Sequence, residues 1–120
     1  MKMPDDFPDF LKRRKIQYAI VGTVDGKERE TFGDANRLKY TSLIPPWFED
    51  MAALAAHLEN RVMPHMLAQK PVACLICKPV DSVVVGLFRH DTRHVTEQYR
   101  WGKEVDAELK AMWAGEQGEP

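Results

Sequence analysis

The 120-residue sequence has few cysteines, no long apolar run and no excess of charge of either sign. Two cysteines are too few to cross-link a small secreted domain, and no window reaches the roughly 18 apolar residues that suggest a membrane-spanning helix. A formal net charge of -1 gives no general attraction to nucleic acid or to anionic membranes. These absences predict a cytoplasmic protein with reduced thiols that binds neither nucleic acid nor membrane.

Recognised catalytic and phosphate-binding motifs are also missing. The sequence contains no G-x-S-x-G, no G-x-x-x-x-G-K-[ST] and no G-x-G-x-x-G. Carboxylates are numerous, but a pair for acid–base catalysis would have to converge from separate elements, which spacing does not reveal. The sequence therefore leaves enzymatic activity unsupported, and we expect no catalytic residues and no cofactor.

The length and the apolar fraction of 44% suit a single folded domain. We expect an ordered core over residues 7–114 and a flexible tail at 115–120. Phe7, Phe10 and Leu11 have helical spacing and predict a short opening helix. The basic residues 12–15 that follow are interpreted as the solvated, positively charged end of this helix.

Four segments have the composition of strands. Residues 16–24 are rich in β-branched and aromatic side chains and lead into Asp25-Gly26, which is typical of a type I′ hairpin turn with positive φ at both residues. The return strand, 27–32, is mostly charged, which predicts a sheet edge. Residues 72–77 and 82–88 are apolar throughout, so both faces of these strands are predicted to be covered.

Two apolar stripes with helical spacing predict longer helices. The first runs from Trp47 to Val62 within an alanine-rich segment that allows a neighbour to approach closely. We expect it to supply a dimer or partner interface, formed by Trp47, Phe48, Met51, Leu54, Ala55, Leu58 and Val62. The second stripe predicts a C-terminal helix ending near Gly115, with Trp101, Val105, Leu109, Met112 and Trp113 on its apolar face.

The cysteines and two of the histidines match metal-ligand spacings only superficially. Cys74 and Cys77 lie in the middle of a predicted strand, where positions i and i+3 point to opposite faces, so we interpret both as buried structural residues. His90 and His94 have the spacing of paired ligands on a helix, but no further residue completes a zinc site. We expect an exposed polar connection there, with a metal-dependent hydrolase as an alternative hypothesis.

The order of elements resembles the roadblock family of dynein light chains and their bacterial relatives, which have a profilin-like fold. The segments that carry this resemblance are 19–26, 51–56 and 74–88. It implies an α/β (α+β) domain in which helices flank an antiparallel sheet of four to five strands. Only four strands are clear in the sequence, and residues 66–70 would have to supply the fifth.

The same resemblance implies a function. Members of the family are typically homodimers, built on the long helix and an adjacent edge strand so that one sheet continues across two subunits. They act as non-enzymatic scaffolds or regulators of small GTPases. Two alternatives stay open: a small-ligand sensor with a pocket between the sheet and the helices, lined by Tyr18, Cys74 and His90, and an immunity-type or antitoxin-type inhibitor of a partner enzyme.

Overall fold

The computed structural model describes residues 3–34, 64–69 and 71–117. The candidate interface from Trp47 to Val62 lies outside these residues. Within them the chain forms α1 (Phe7–Arg13), β1 (Tyr18–Thr23), β2 (Arg29–Gly33), β3 (His65–Gln69), β4 (Val72–Val80), β5 (Val83–His90) and α2 (Val95–Gln117).

The five strands form one antiparallel sheet in the order β2-β1-β5-β4-β3. This confirms the predicted fold class, and β3 supplies the fifth strand that the sequence left open. The charged strand β2 lies at one edge of the sheet, as predicted, and β3 lies at the other. Edge positions tolerate such polar or short segments because an edge strand needs only one ladder of hydrogen bonds.

The connection between β1 and β2 differs from the predicted type I′ turn. Gly26 has a positive φ of 77°, but Asp25 does not, and five residues separate the two strands. The Asp25 carboxylate accepts hydrogen bonds from the Thr23 hydroxyl at 2.6 Å and from the Lys27 amide at 3.0 Å. Such side-chain bonds to the nearby chain favour a longer loop over a two-residue turn.

One face of the sheet packs against α1 and α2. Because side chains alternate along a strand, the residues on this face are odd-numbered in β1, β4 and β5, from Ala19 through Leu75 to Leu87. The helices bring their predicted apolar stripes onto it, and the core there comprises Phe7, Phe10, Leu11, Trp101, Val105, Leu109 and Trp113. Met112 is partly buried against this core.

The opposite face of the sheet is buried as well, which confirms the prediction from the uninterrupted apolar strands. Ile20, Ile76 and Val84 are inaccessible to solvent there. Cys74 lies on this face and Cys77 on the helix face, and both thiols are free. Burial raises the pKa of both thiols, and the Asp106 carboxylate raises that of Cys77 further. They are therefore structural cysteines that stay protonated at neutral pH.

Two glycines mark the course of α2. A Cβ on Gly102 would lie 3.1 Å from both Leu75 Cδ1 and Met66 Cε, so the helix crosses β4 and β3 closely at this point. Gly115 faces open space and lies within the helix, which continues to Gln117. Gly115 is therefore not the C′ residue just beyond the helix, and the helix ends two residues later than its position suggested.

Candidate interaction surfaces and the contacts that support them

A carboxylate on α2 joins the two helices. Glu108 accepts hydrogen bonds from Arg14 at 2.9 and 2.8 Å and pairs with Arg13 Nη2 at 2.6 Å. Burial by itself raises the pKa of Glu108, but the hydrogen bonds from Arg13 and Arg14 outweigh it and hold the pKa below its ordinary value. The sequence predicted that the basic residues 12–15 are solvated. Two of these four residues, Arg13 and Arg14, instead form a contact between the helices.

Replacing Glu108 with glutamine is expected to lower the free energy of unfolding by about 1 kcal/mol, because two guanidinium groups lose their shared anion. The effect should shrink as salt is added, since Arg13 is largely exposed. Urea unfolding at low and high ionic strength measures both quantities. Glu104→Gln is the control, because Glu104 is exposed and lies 3.7 Å from Arg14. An equal loss of stability in both variants would contradict the conclusion that Glu108 joins the two helices.

A second carboxylate, Asp91, organises the passage from β5 into α2. Its side chain is inaccessible to solvent and accepts two bonds from the Arg93 guanidinium, at 2.9 and 2.7 Å. The Asp91 amide donates a 2.8 Å hydrogen bond to the Pro71 carbonyl, and the Asp91 carbonyl accepts a 3.1 Å hydrogen bond from the buried side-chain amide of Gln98. The hydrogen bonds from Arg93 hold the pKa of Asp91 below its usual range, with a further contribution from Arg89.

Arg89 extends this cluster to α1. Its guanidinium lies 4.5 Å from the ring centroid of Trp101, a cation–π geometry, and donates a 3.2 Å hydrogen bond to the carbonyl of Arg14. Burial lowers the pKa of Arg89, and Asp91, 3.6 Å away, partly compensates the buried charge. The end of β5, the end of α1 and the start of α2 are thus held together by one polar cluster.

His90 and His94 do not lie together on one helix, as the alternative hypothesis of a metal site would require. His90 ends β5, whereas His94 precedes α2 and its Nδ1 accepts a 3.1 Å hydrogen bond from the amide of Thr96. His94 therefore caps α2 and provides a hydrogen-bond acceptor for one of the free amide groups in the first turn of the helix. In the part of the chain that the structure describes, no group of three or more potential ligands is placed to hold a metal ion.

The three positions proposed for a sensor pocket share the face of the sheet opposite α1 and α2, so they do not lie between the sheet and these helices. Tyr18 and Cys74 both pair with Phe88, from β1 and β4 respectively, and the Tyr18 and Phe88 rings lie 5.8 Å apart. Phe88 thus separates Tyr18 from Cys74, which is 5% exposed. His90 lies on the same face, two residues further along β5.

Two apolar side chains near the start of α2 are exposed, and β3 is the last strand on its side of the described sheet. Val95 and Tyr99 are 52% and 56% exposed and lie one turn apart on α2. Tyr99 is one turn before Gly102, where the helix meets Met66 of β3. We call Val95, Tyr99 and strand β3 the edge surface. Exposed apolar side chains and the outer edge of a strand are each typical of an interface, and no described strand pairs with the outer edge of β3.

Known proteins resemble this chain in structure rather than in sequence. No protein-family model matches, and no curated protein gives a significant match. Among solved structures, MglB from Myxococcus xanthus matches with a TM-score of 0.56 and 13% identity over 99% of this chain and 97% of that chain.

A second solved structure shows the same likeness. The gliding protein MglB from Thermus thermophilus matches with a TM-score of 0.56 and 13% identity, covering 87% of this chain and 82% of that chain. No helix among the described residues is long and apolar enough to cross a membrane. Together with the strand order and the packing of α1 and α2 on the sheet, these matches show that the chain has a roadblock/profilin-like fold.

Proposed function

We propose that this protein is a homodimeric, non-enzymatic interaction module that binds a small GTPase and regulates it. The fold supports this proposal. Members of the roadblock family, which this sequence resembles in its order of elements, act as scaffolds or regulators of small GTPases. The observations that carry the proposal are the exposed Val95 and Tyr99 side chains on α2 and the position of β3 at the edge of the described sheet. Free Cys74 and Cys77 suit the reducing cytoplasm, where we place the protein.

The proposed dimer joins two copies through strand β3 and the segment from Trp47 to Val62, with one sheet continuing across both subunits. Main-chain hydrogen bonds between edge strands supply affinity, and apolar side chains beside the strand supply specificity. Tyr99 is suited to the second role, because a large aromatic side chain with a polar tip contributes strongly to interfaces. The GTPase would bind the same long segment.

Sedimentation of the purified chain tests the dimer. We expect a dimer at micromolar concentration and a weakening of about tenfold or more for Tyr99→Glu, because the new charge must be desolvated at the interface. Ala111→Glu adds the same charge at an exposed position more than three turns away and should leave the dimer unchanged. Leu54→Glu tests the other half of the interface. A monomeric wild-type chain, or equal behaviour of Tyr99→Glu and Ala111→Glu, would refute this arrangement.

A binding screen tests the partner. Each small GTPase of the source genome, loaded with GDP or with a non-hydrolysable GTP analogue, is measured against the immobilised chain. One of them should bind with a Kd below about 100 µM and distinguish the two nucleotides, since regulation requires differential affinity. Absence of binding in both nucleotide states would rule out this function while leaving the dimer test unaffected.

A further inference from the structure

A cleft opens at the other edge of the sheet, between the end of α1 and the end of β2. It has a volume of about 400 Å³, which is near the lower limit for ligand pockets and suits one or two apolar side chains. Leu11, Ile16 and Phe32 form its apolar lining, and Lys12, Lys15 and Gln17 contribute polar groups. The cleft lies far along the sheet from the edge surface, since β2 and β3 are opposite edges.

The cleft carries uncompensated positive charge. Lys12 and Lys15 are exposed, and neither makes an ion pair with a carboxylate of the described residues. Their neighbours Arg13 and Arg14 are different, because both bind Glu108. Within the described part of the chain, the cleft is therefore lined by two free ammonium groups and by no acidic side chain.

The backbone beside the cleft fixes one of these lysines. Lys15 has a φ of 59°, a conformation that side-chain-bearing residues rarely adopt. Hydrogen bonds from the Lys15 amide to Lys12 at 3.1 Å and from the Ile16 amide to Leu11 at 2.9 Å hold this turn. The chain thus reverses direction at the cleft in a fixed geometry, which lowers the entropy lost when a ligand binds.

Strand β2 offers main-chain groups next to the cleft. The Thr23 amide donates to the Glu28 carbonyl at 3.0 Å, and hydrogen-bonded pairs alternate along an antiparallel ladder. Main-chain groups of successive residues point alternately toward β1 and away from it. Thr31, which pairs with Ile20, is an odd number of residues from Glu28, so its N–H and C=O point away from β1. Thr31 is exposed, and no described residue pairs with its outward groups.

We infer that this cleft and the adjoining β2 edge bind an extended acidic segment of a partner protein, placing an apolar side chain in the cleft and carboxylates against Lys12 and Lys15. Strand addition supplies the main-chain bonds, and the cleft selects the side chain. This site is independent of the proposed GTPase surface.

Fluorescence anisotropy tests the inference with a labelled peptide in which glutamate alternates with leucine. The full chain should bind it with a Kd between about 1 µM and 1 mM, more weakly as salt increases. Lys12→Glu/Lys15→Asn should weaken binding about tenfold or more, because asparagine tolerates the left-handed backbone while the charge is lost. Lys27→Glu/Lys103→Asn changes exposed lysines elsewhere by the same charge and should bind as the wild type does.

Two further arms identify the occupant. Thr31→Pro removes an outward N–H without breaking the ladder to β1, and it should also weaken peptide binding about tenfold. Peptides alternating glutamate with serine, or lysine with leucine, should not bind. Equal binding of the glutamate–serine peptide, tighter binding of octanoate than of the peptide, or an equal loss in both lysine variants would overturn the inference.

Discussion

Replacing Trp113 with alanine is expected to lower the free energy of unfolding by about 3–5 kcal/mol. Trp113 is inaccessible to solvent and is the largest fully buried side chain among the described residues. It meets Phe7 edge to face, with ring centroids 5.6 Å apart. Its loss therefore opens a cavity at the junction of α1, α2 and the sheet, which urea unfolding followed by circular dichroism would measure. Because domains of this size are stabilised by only about 5–15 kcal/mol, this variant should be marginal.

Trp113→Phe keeps this prediction testable if the alanine variant fails to fold. The indole Nε1 of Trp113 is buried without a hydrogen-bond partner among the described residues, so phenylalanine loses volume but also removes an unsatisfied donor. We expect a cost below about 2 kcal/mol for this variant. Met112→Ala, at the partly buried neighbouring position, is the matched control. Equal losses for Trp113→Ala and Met112→Ala would show that the ring does not hold the helices together.

The same aromatic contacts connect stability with the proposed peptide site. Phe7 contacts Trp113 on one side and Phe32 on the other, at centroid distances of 5.6 and 5.0 Å. Phe32 lines the cleft between α1 and β2. The ring of Trp113 on α2 therefore helps to fix the position of α1 and the shape of the cleft, although Trp113 itself does not line the cleft.

Apolar periodicity was sufficient to predict most of the described elements. The stripe from Trp101 to Trp113 and the uninterrupted strands β4 and β5 report burial directly, because burial of one helix face or of two strand faces leaves a repeating pattern. The positions of Cys74 and Cys77 on opposite faces followed from strand geometry alone. The edge strand β3 left a weaker signal, since five residues after a proline are too few to show a clear period.

Contacts that depend on distant residues were not predictable in this way. Arg14 and Glu108 are separated by 94 residues, and no spacing rule relates them, so the basic run could be interpreted only by its local charge. The turn at Asp25 was mispredicted because a side-chain carboxylate, rather than the Asp-Gly pair, determines the loop. The cleft beside Lys15 depends on a positive φ that lysine composition does not indicate.

The polar cluster around Asp91 was likewise hidden, because its members looked like an exposed connection between β5 and the C-terminal helix. Arg89, Asp91 and Arg93 are close in sequence, but the pattern does not show that the carboxylate is buried. Burial changes its energetic role, since a buried charge that loses its partner is far more costly than an exposed one. Among the polar residues that the structure describes, we therefore expect substitution of Asp91 to have the largest effect.

Asp91→Asn should lower the free energy of unfolding at pH 7 by about 3 kcal/mol, the lower end of the range for breaking a buried ion pair, because Arg93 is partly exposed. Asp81→Asn, which removes the same charge at an exposed position, should change it by less than about 0.5 kcal/mol. Urea unfolding of the three proteins measures both differences. Similar values for the two variants would contradict a buried, paired Asp91.

The difference in free energy of unfolding between wild type and Asp91→Asn should depend on pH if it arises from the ionised Asp91 carboxylate. The folded-state pKa of Asp91 lies below its ordinary value, so its contribution is fully present above the unfolded-state pKa, near 3.9. The gap between wild type and Asp91→Asn should thus be constant from pH 7 to about 5, then narrow as the pH falls through the folded-state pKa. Subtracting the two curves cancels the parallel titration of Glu108, whose pKa is also lowered. A gap that persisted undiminished in acid would mean that asparagine is unfavourable for its shape rather than for its missing charge.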